Sequence, residues 1–198
     1  MEYHLETPIE EKDIRKLRIG DKIILSGTVI TARDEAHHKA LTLHRNGELL
    51  PVDFKGMAVY HCGPVMKKYN SKWKVIAAGP TTSFRMEIFE ESFIEAFRPA
   101  IIIGKGGMGE KTAKACSHFA CVYGYFTGGA AILAAKGIRE VEAVYWLDEL
   151  GMAECLWVCR TEGFGPILIT IDSFGNNLTE NIKKQIMENK EKIIKMLE

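Results

Sequence analysis

Apolar residues along the chain fall into short runs separated by polar or glycine-containing stretches, and most of these runs read as strands. Lys22–Ala32, KIILSGTVITA, is rich in β-branched residues and predicts a long strand, with Gly27 at a bulge or a point of close backbone approach. Further strands are expected at Ala58–His61, Lys74–Ala78, Ala100–Ile103, Ala120–Tyr123, Val141–Trp146, Glu154–Val158 and Ile167–Ile171. Helical spacing predicts helices from Glu35 to about Arg45, with Asp34 as cap, and over Glu110–His118, Gly128–Lys136 and Leu178–Leu197. Thr7-Pro-Ile-Glu10 has the form of a capping box with proline at the first helical position, which predicts a short helix to about Leu17.

Strands outnumber helices, and several successive strands lie too close in sequence for a helical crossover. Antiparallel pairing must therefore accompany any parallel part. The chain reads as one mixed α/β domain over residues 1–180, followed by a charged helix over 181–198. Ile182, Ile186, Ile193 and Ile194 give that helix an apolar stripe, to be buried on its own domain or on a partner.

Composition narrows the function classes. A chain of 198 residues, 46% hydrophobic and 26% charged, can bury one good core. Its 26 basic and 26 acidic residues cancel, so nothing global favours nucleic acid or an anionic membrane surface. No apolar run approaches the ~20 residues that span a bilayer, and MEYHLETPIEEKD is too acidic for a signal peptide, so a cytoplasmic protein is expected. The five cysteines are odd in number, irregular in spacing and set in apolar stretches such as ECLWVC. They read as buried reduced thiols, and neither an iron–sulfur nor a zinc site is expected within this chain. His37, His38 and His61 have no companion at metal-ligand spacing and read as surface or core histidines.

Any anion preference must then be local. The run IIIGKGGMGEKTAKA, residues 101–115, passes from strand through glycines to helix, as a phosphate-cradling loop does. Glu110, however, stands where the phosphate lysine should follow Gly109, which shifts Lys111 and Thr112 by about 100° around the helix. Three junctions share a more general pattern, in which a strand ends and anion-binding groups follow at once. They are Thr31-Ala-Arg-Asp34, Gly79-Pro-Thr-Thr-Ser-Phe-Arg85 and Gly104-Lys-Gly-Gly107. Arg33, Arg85 and Lys105, with the hydroxyls of Thr81 and Thr82, suit a small dianionic substrate if the junctions converge. A nucleotide-binding switch built on residues 104–112 and a non-catalytic interaction module are the competing classes.

The stretches GTVITARDEAHHKAL, HCGPV, AAGPTTSFRME, IIIGKGGMG and GYFTGGAAILAAKGI stand in the order, and at about the spacings, found in class I fumarate hydratases and L(+)-tartrate dehydratases. From about residue 5 to residue 180 the chain resembles the β subunit of that family. His38 departs from the basic residue expected there, and HCGP varies a tyrosine- or alanine-rich stretch. The resemblance implies a swivelling three-layer β/β/α domain and a hydro-lyase active only with a separate α subunit, in an α2β2 assembly. It implies that Arg33, Arg85 and Lys105 bind substrate carboxylates, and that Thr81 is the catalytic base with Thr82 beside it. It also implies a [4Fe–4S] cluster held by the α subunit. Fumarate hydration to L-malate is the first expectation and L(+)-tartrate dehydration the alternative.

Overall fold

The computed structural model describes residues 1–197. In chain order it contains β1 (Glu2–Glu6), α1 (Glu11–Ile14), β2 (Lys22–Thr31), α2 (Asp34–Arg45), β3 (Ala58–Tyr60), β4 (Val65–Tyr69), β5 (Lys72–Ala77) and α3 (Glu87–Phe97). There follow β6 (Ile101–Gly104), α4 (Glu110–Phe119), β7 (Val122–Tyr125), α5 (Ala131–Gly137), β8 (Ile138–Tyr145), α6 (Leu147–Leu150), β9 (Leu156–Ile171) and α7 (Leu178–Leu197). A 3₁₀ turn, Ser83–Met86, leads into α3.

Strands β1, β2, β3, β6 and β7 run parallel in that order. Strand β9 pairs antiparallel with β7 at one end and with β2 along its length, so the sheet closes on itself, with β8 added to the outer edge of β9. The mixed parallel and antiparallel class expected from the short loops is present.

Alternation along each short strand builds two cores. In register across the parallel strands, Ile30, Val59, Ile102 and Tyr123 form a row that faces α2, α3 and α4. The neighbouring row, Val29, Ala58, Ile101 and Val122, faces inward, where Ile14, Leu17, Phe126, Phe164 and Ile167 fill the closed sheet. Each isoleucine fully buried this way contributes roughly 1.5–3 kcal/mol. Helices, parallel strands and antiparallel strands thus form three tiers, which fix where the carboxyl ends of β2, β3 and β6 lie.

Two expectations at the local level are corrected. The helix expected to start at the Thr7 capping box is confined to Glu11–Ile14. Thr7 instead extends the β1–β2 ladder, donating from its N–H to the Ser26 carbonyl and from its hydroxyl to the Thr28 carbonyl. Gly27, at φ +92°, permits this, since a Cβ there would lie 2.5 Å from the Thr7 hydroxyl. The two strands expected around Gly163–Pro166 are one continuous strand, because those residues mark an irregular ladder against β2 rather than a turn. In α7, Ile182, Ile186, Ile193 and Ile194 are 45–59% exposed. No helix among the described residues is long and apolar enough to cross a membrane.

Candidate active site

The three junctions meet at the carboxyl ends of the parallel strands, where open α/β sheets place their ligands. After β5 the chain runs back between the ends of β3 and β6. The Thr81 N–H donates to the His61 carbonyl at 2.7 Å, Lys105 N–H to the Thr81 carbonyl at 3.2 Å, and Ser83 N–H to the Lys105 carbonyl at 3.0 Å. Thr82 and Lys105 are thereby paired as a parallel bridge. The first junction is tied to the second by an ion pair between Asp34 and Arg85. Arg33, Thr81, Thr82, Arg85 and Lys105 accordingly share one edge of the fold.

Their surroundings differ. The Arg33 guanidinium lies 3.0 Å from Glu154 and 4.0 Å from Asp34, with about four-fifths of its side chain covered. Gly63 makes room for it, since a Cβ there would come within 2.6 Å of Nη1. Its sequence neighbour Asp34 is thus the more distant partner, and the nearer one, Glu154, comes from a loop more than a hundred residues away. Arg85 is half exposed. Burial works most strongly against ionisation of Asp34, but the hydrogen bond from Arg85, a backbone hydrogen bond and the charges of Arg85 and Arg33 together outweigh it and hold the carboxyl below the usual carboxylate range. Lys105 makes no ion pair among the described residues, and its stem lies against Gly128, where a Cβ would approach Cδ to 2.7 Å. Thr82 stands at the N-terminal boundary of the 3₁₀ turn yet makes no side-chain cap there. Likewise Asp34 opens α2 without capping it, because its carboxylate is committed to Arg85.

The helix N-terminus that resembled a phosphate cradle is filled from within. The Glu87 carboxylate accepts hydrogen bonds from the N–H groups of Gly109, Lys111 and Thr112 at 2.7, 3.1 and 3.3 Å, and from the Thr112 hydroxyl at 2.6 Å. The loop does bind an anion, but that anion is a side chain of α3. This corrects the nucleotide reading, because a phosphate would have to expel a carboxylate held by four hydrogen bonds.

Behind the strand ends lies a group that sequence spacing did not reveal. His37 in α2, His61 after β3 and Glu90 in α3 are each 0% exposed, with donor atoms all within 4.8 Å of one another. His61 Nε2 is 3.1 Å, and His37 Nε2 3.6 Å, from Glu90 Oε2. The outward nitrogens reach the site: His37 Nδ1 is 2.7 Å from the Arg33 carbonyl, and His61 Nδ1 is 2.9 Å from the Ser83 hydroxyl. Burial opposes the charge on Glu90, but His61 and His37 hold its carboxyl down at about 2. Burial likewise opposes charge on His37, where the facing Glu90 carboxylate prevails and raises it, whereas burial prevails at His61 and lowers it. Side chains contributed by three separate parts of the chain leave no spacing signature, so only the fold could assemble them.

All five cysteines are free and buried. Cys62 faces the inner core, Cys116 and Cys121 the helix-facing core, and Cys155 and Cys159 a third cluster with Trp157. Burial pushes the Cys155 and Cys159 thiols up to about 11 and about 12. Thiols dispersed over three separate cores do not fit an iron–sulfur cluster.

Arg33, Arg85 and Lys105 thus stand with Thr81 and Thr82 where three strand-end junctions meet, in a closed mixed α/β sheet. Residues 1–182 match the family described as Fumarase C-terminus. The chain is 44% identical to the L(+)-tartrate dehydratase subunit beta of Escherichia coli K12 over 190 residues, covering 96% of this chain and 92% of that one. It is 41% identical over 194 residues to a Methanocaldococcus jannaschii protein named as an L(+)-tartrate dehydratase subunit beta, covering 98% and 99%. A Geobacillus stearothermophilus protein named as a class I fumarate hydratase is 43% identical over 185 residues, which are 93% of this chain and 35% of that longer one. The chain belongs to the β-subunit family of the class I fumarate hydratases and L(+)-tartrate dehydratases, whose members are hydro-lyases.

Proposed function

We propose that the chain is the β subunit of a two-chain hydro-lyase acting on a four-carbon dicarboxylate. Fumarate and L-malate are the first substrate pair. L(+)-tartrate is the second, favoured by the name of the relatives that match over nearly their whole length. The observation that carries the proposal is the meeting of Arg33, Arg85 and Lys105 with Thr81 at the ends of β2, β3 and β6.

Elimination of water from a hydroxy acid begins with a proton leaving a carbon next to a carboxylate, and the developing charge must be stabilised where it forms. Arg85 and Lys105 flank the Thr81–Thr82 segment and supply that stabilisation. In the resting chain Arg33 and Arg85 already hold the carboxylates of Glu154 and Asp34. A substrate carboxylate takes the place of one carboxylate with another, so each planar fork is used without reorientation. Lys105, unpaired among the described residues, needs no such exchange.

Thr81 is the assigned base. Its backbone is fixed on both sides by His61 and Lys105. A threonine hydroxyl is a weak base at its ordinary pKa, and the surrounding cations make its deprotonated form less costly. The hydroxyl leaving group requires a Lewis acid, which a [4Fe–4S] cluster on the α subunit would supply, since the thiols of this chain do not fit one.

The test is to purify this chain and its α subunit anaerobically, mix them, and assay fumarate, L-malate and L(+)-tartrate. Turnover of one of these substrates by the mixture, and by neither subunit alone, is the expected result. Turnover by this chain alone, without iron, would defeat the two-chain reading.

A further inference from the structure

The His37, His61 and Glu90 group has more unmet polar capacity than a buried core tolerates. Both imidazole Nε2 atoms and both Glu90 carboxylate oxygens are without a hydrogen bond, although the atoms face one another across 3.1 and 3.6 Å. Contact at 3.1 Å without a hydrogen bond means that the His61 ring nitrogen does not point along its N–H axis at the carboxylate. Leaving four such atoms buried and unpaired is costly, so something must satisfy them together.

The tautomers limit what that can be. The Arg33 carbonyl can only accept, so His37 Nδ1 carries a proton, and once its Nε2 proton is displaced the ring offers a lone pair there beside the Glu90 carboxylate. His61 Nδ1 can donate to the Ser83 hydroxyl in the same way, leaving a second lone pair directed inward. With both Nε2 atoms deprotonated, two imidazole lone pairs and one carboxylate can meet at one ion, each imidazole held from behind by an oxygen. This is the outer-shell arrangement that metal-ligating histidines show. Donors bound ~2.0–2.2 Å from one ion can stand 3.1 and 3.6 Å apart, as each imidazole does from Glu90.

We propose that His37, His61 and Glu90 form a buried site for one divalent transition-metal ion of the zinc class, which staples α2, the end of β3 and α3 together beneath the carboxylate-binding edge. Two imidazoles with one carboxylate suit zinc better than magnesium or calcium, which favour all-oxygen shells. Complete burial means that the ion is taken up as the chain folds, held by three protein donors. In the metal-free chain the carboxylate is balanced by a proton on His37 Nε2. Uptake of the metal displaces that proton to solvent, and His61 turns its Nδ1–H to Ser83. The site is independent of the hydro-lyase reading, since it touches no substrate.

The experiment uses the full chain, unfolded in denaturant with chelator and refolded with or without zinc chloride, then dialysed against EDTA. The expected outcome is one equivalent of retained zinc by elemental analysis and a higher thermal midpoint than in the zinc-free sample. Glu90→Gln and His61→Gln should retain no zinc and gain no stability from it. Should either variant fail to fold, refolding wild type with cobalt(II) gives a second readout, the visible absorption of a low-coordinate nitrogen and oxygen site. Wild-type chain that retains no zinc or cobalt and melts at the same temperature in both samples overturns the proposal and leaves a proton-held ion pair. Zinc retained equally by the variants overturns it as well.

Discussion

Two parts of this molecule gather donors for an anion, and they use them in opposite ways. At the N-terminus of α4 the backbone N–H groups of Gly109, Lys111 and Thr112 close around Glu87, so the anion is supplied by the fold. At the ends of β2, β3 and β6, two arginines hold their carboxylate partners at or near the surface, and Lys105 has no ion pair among the described residues. A donor set that is saturated by a neighbouring side chain is architecture. One whose partners are exchangeable is available to a ligand. The glycine-rich run looked like the functional element because its backbone pattern is that of an anion site, and it is one. Its ligand sits 22 to 25 residues earlier in the same chain.

Substitutions should separate the two regions, beginning with the largest effect. In the assembled two-chain enzyme, Thr81→Ala should lower kcat by about 10²–10⁴-fold, the contribution of a positioned base, with the thermal midpoint nearly unchanged. Lys105→Ala should cost about 10²–10³-fold in kcat/KM through lost stabilisation of developing charge, measured by steady-state kinetics on the same preparation. Glu87→Ala acts on the other region, leaving helix N–H groups orphaned and costing about 1–3 kcal/mol in urea unfolding. Added phosphate should then stabilise the variant more than wild type, because the vacated helix end accepts it. Lys111→Ala, the change that would disable a nucleotide loop, should alter activity not at all and stability by less than about 0.5 kcal/mol.

A pH series probes the support beneath the strand-end site. The folded-state pKa of Glu90 is depressed to about 2 from an ordinary value of 4.5. Its contribution is therefore fully present above about pH 4.5 and is lost as pH falls towards about 2. The raised His37 works in the other direction: its contribution is present below an ordinary value of 6.5 and fades as pH rises through its higher folded value. In the zinc-free chain, urea midpoints should fall on acidification through the lower window, and Glu90→Gln should flatten that fall.

Strands β2, β3 and β5–β9 and helices α2, α4, α5 and α7 were legible because alternation and helical spacing are local, as in the row of Ile30, Val59, Ile102 and Tyr123, whereas β1, β4, α3 and α6 were not anticipated. What was misread also had local causes. Thr7 carries the letters of a helix cap but spends both its N–H and its hydroxyl on β2. Gly163 and Gly165 carry the letters of a turn but accommodate an uneven ladder in β9. At the site, Arg33, Thr81, Thr82, Arg85 and Lys105 were visible as polar groups at strand ends, whereas their partners were not. Glu154, Glu87 and Glu90 reach Arg33, α4 and the two histidines from distant elements, and no spacing rule links them.

The most direct measurement is the rate of fumarate hydration and of L(+)-tartrate dehydration by the anaerobically assembled pair, comparing wild type, Thr81→Ala, Arg85→Ala and Lys111→Ala of this chain. The expected result is turnover of one of the two substrates by wild type and Lys111→Ala, with collapse in Thr81→Ala and Arg85→Ala at unchanged assembly. Undiminished turnover in those two variants would contradict the placement of the site at the strand ends.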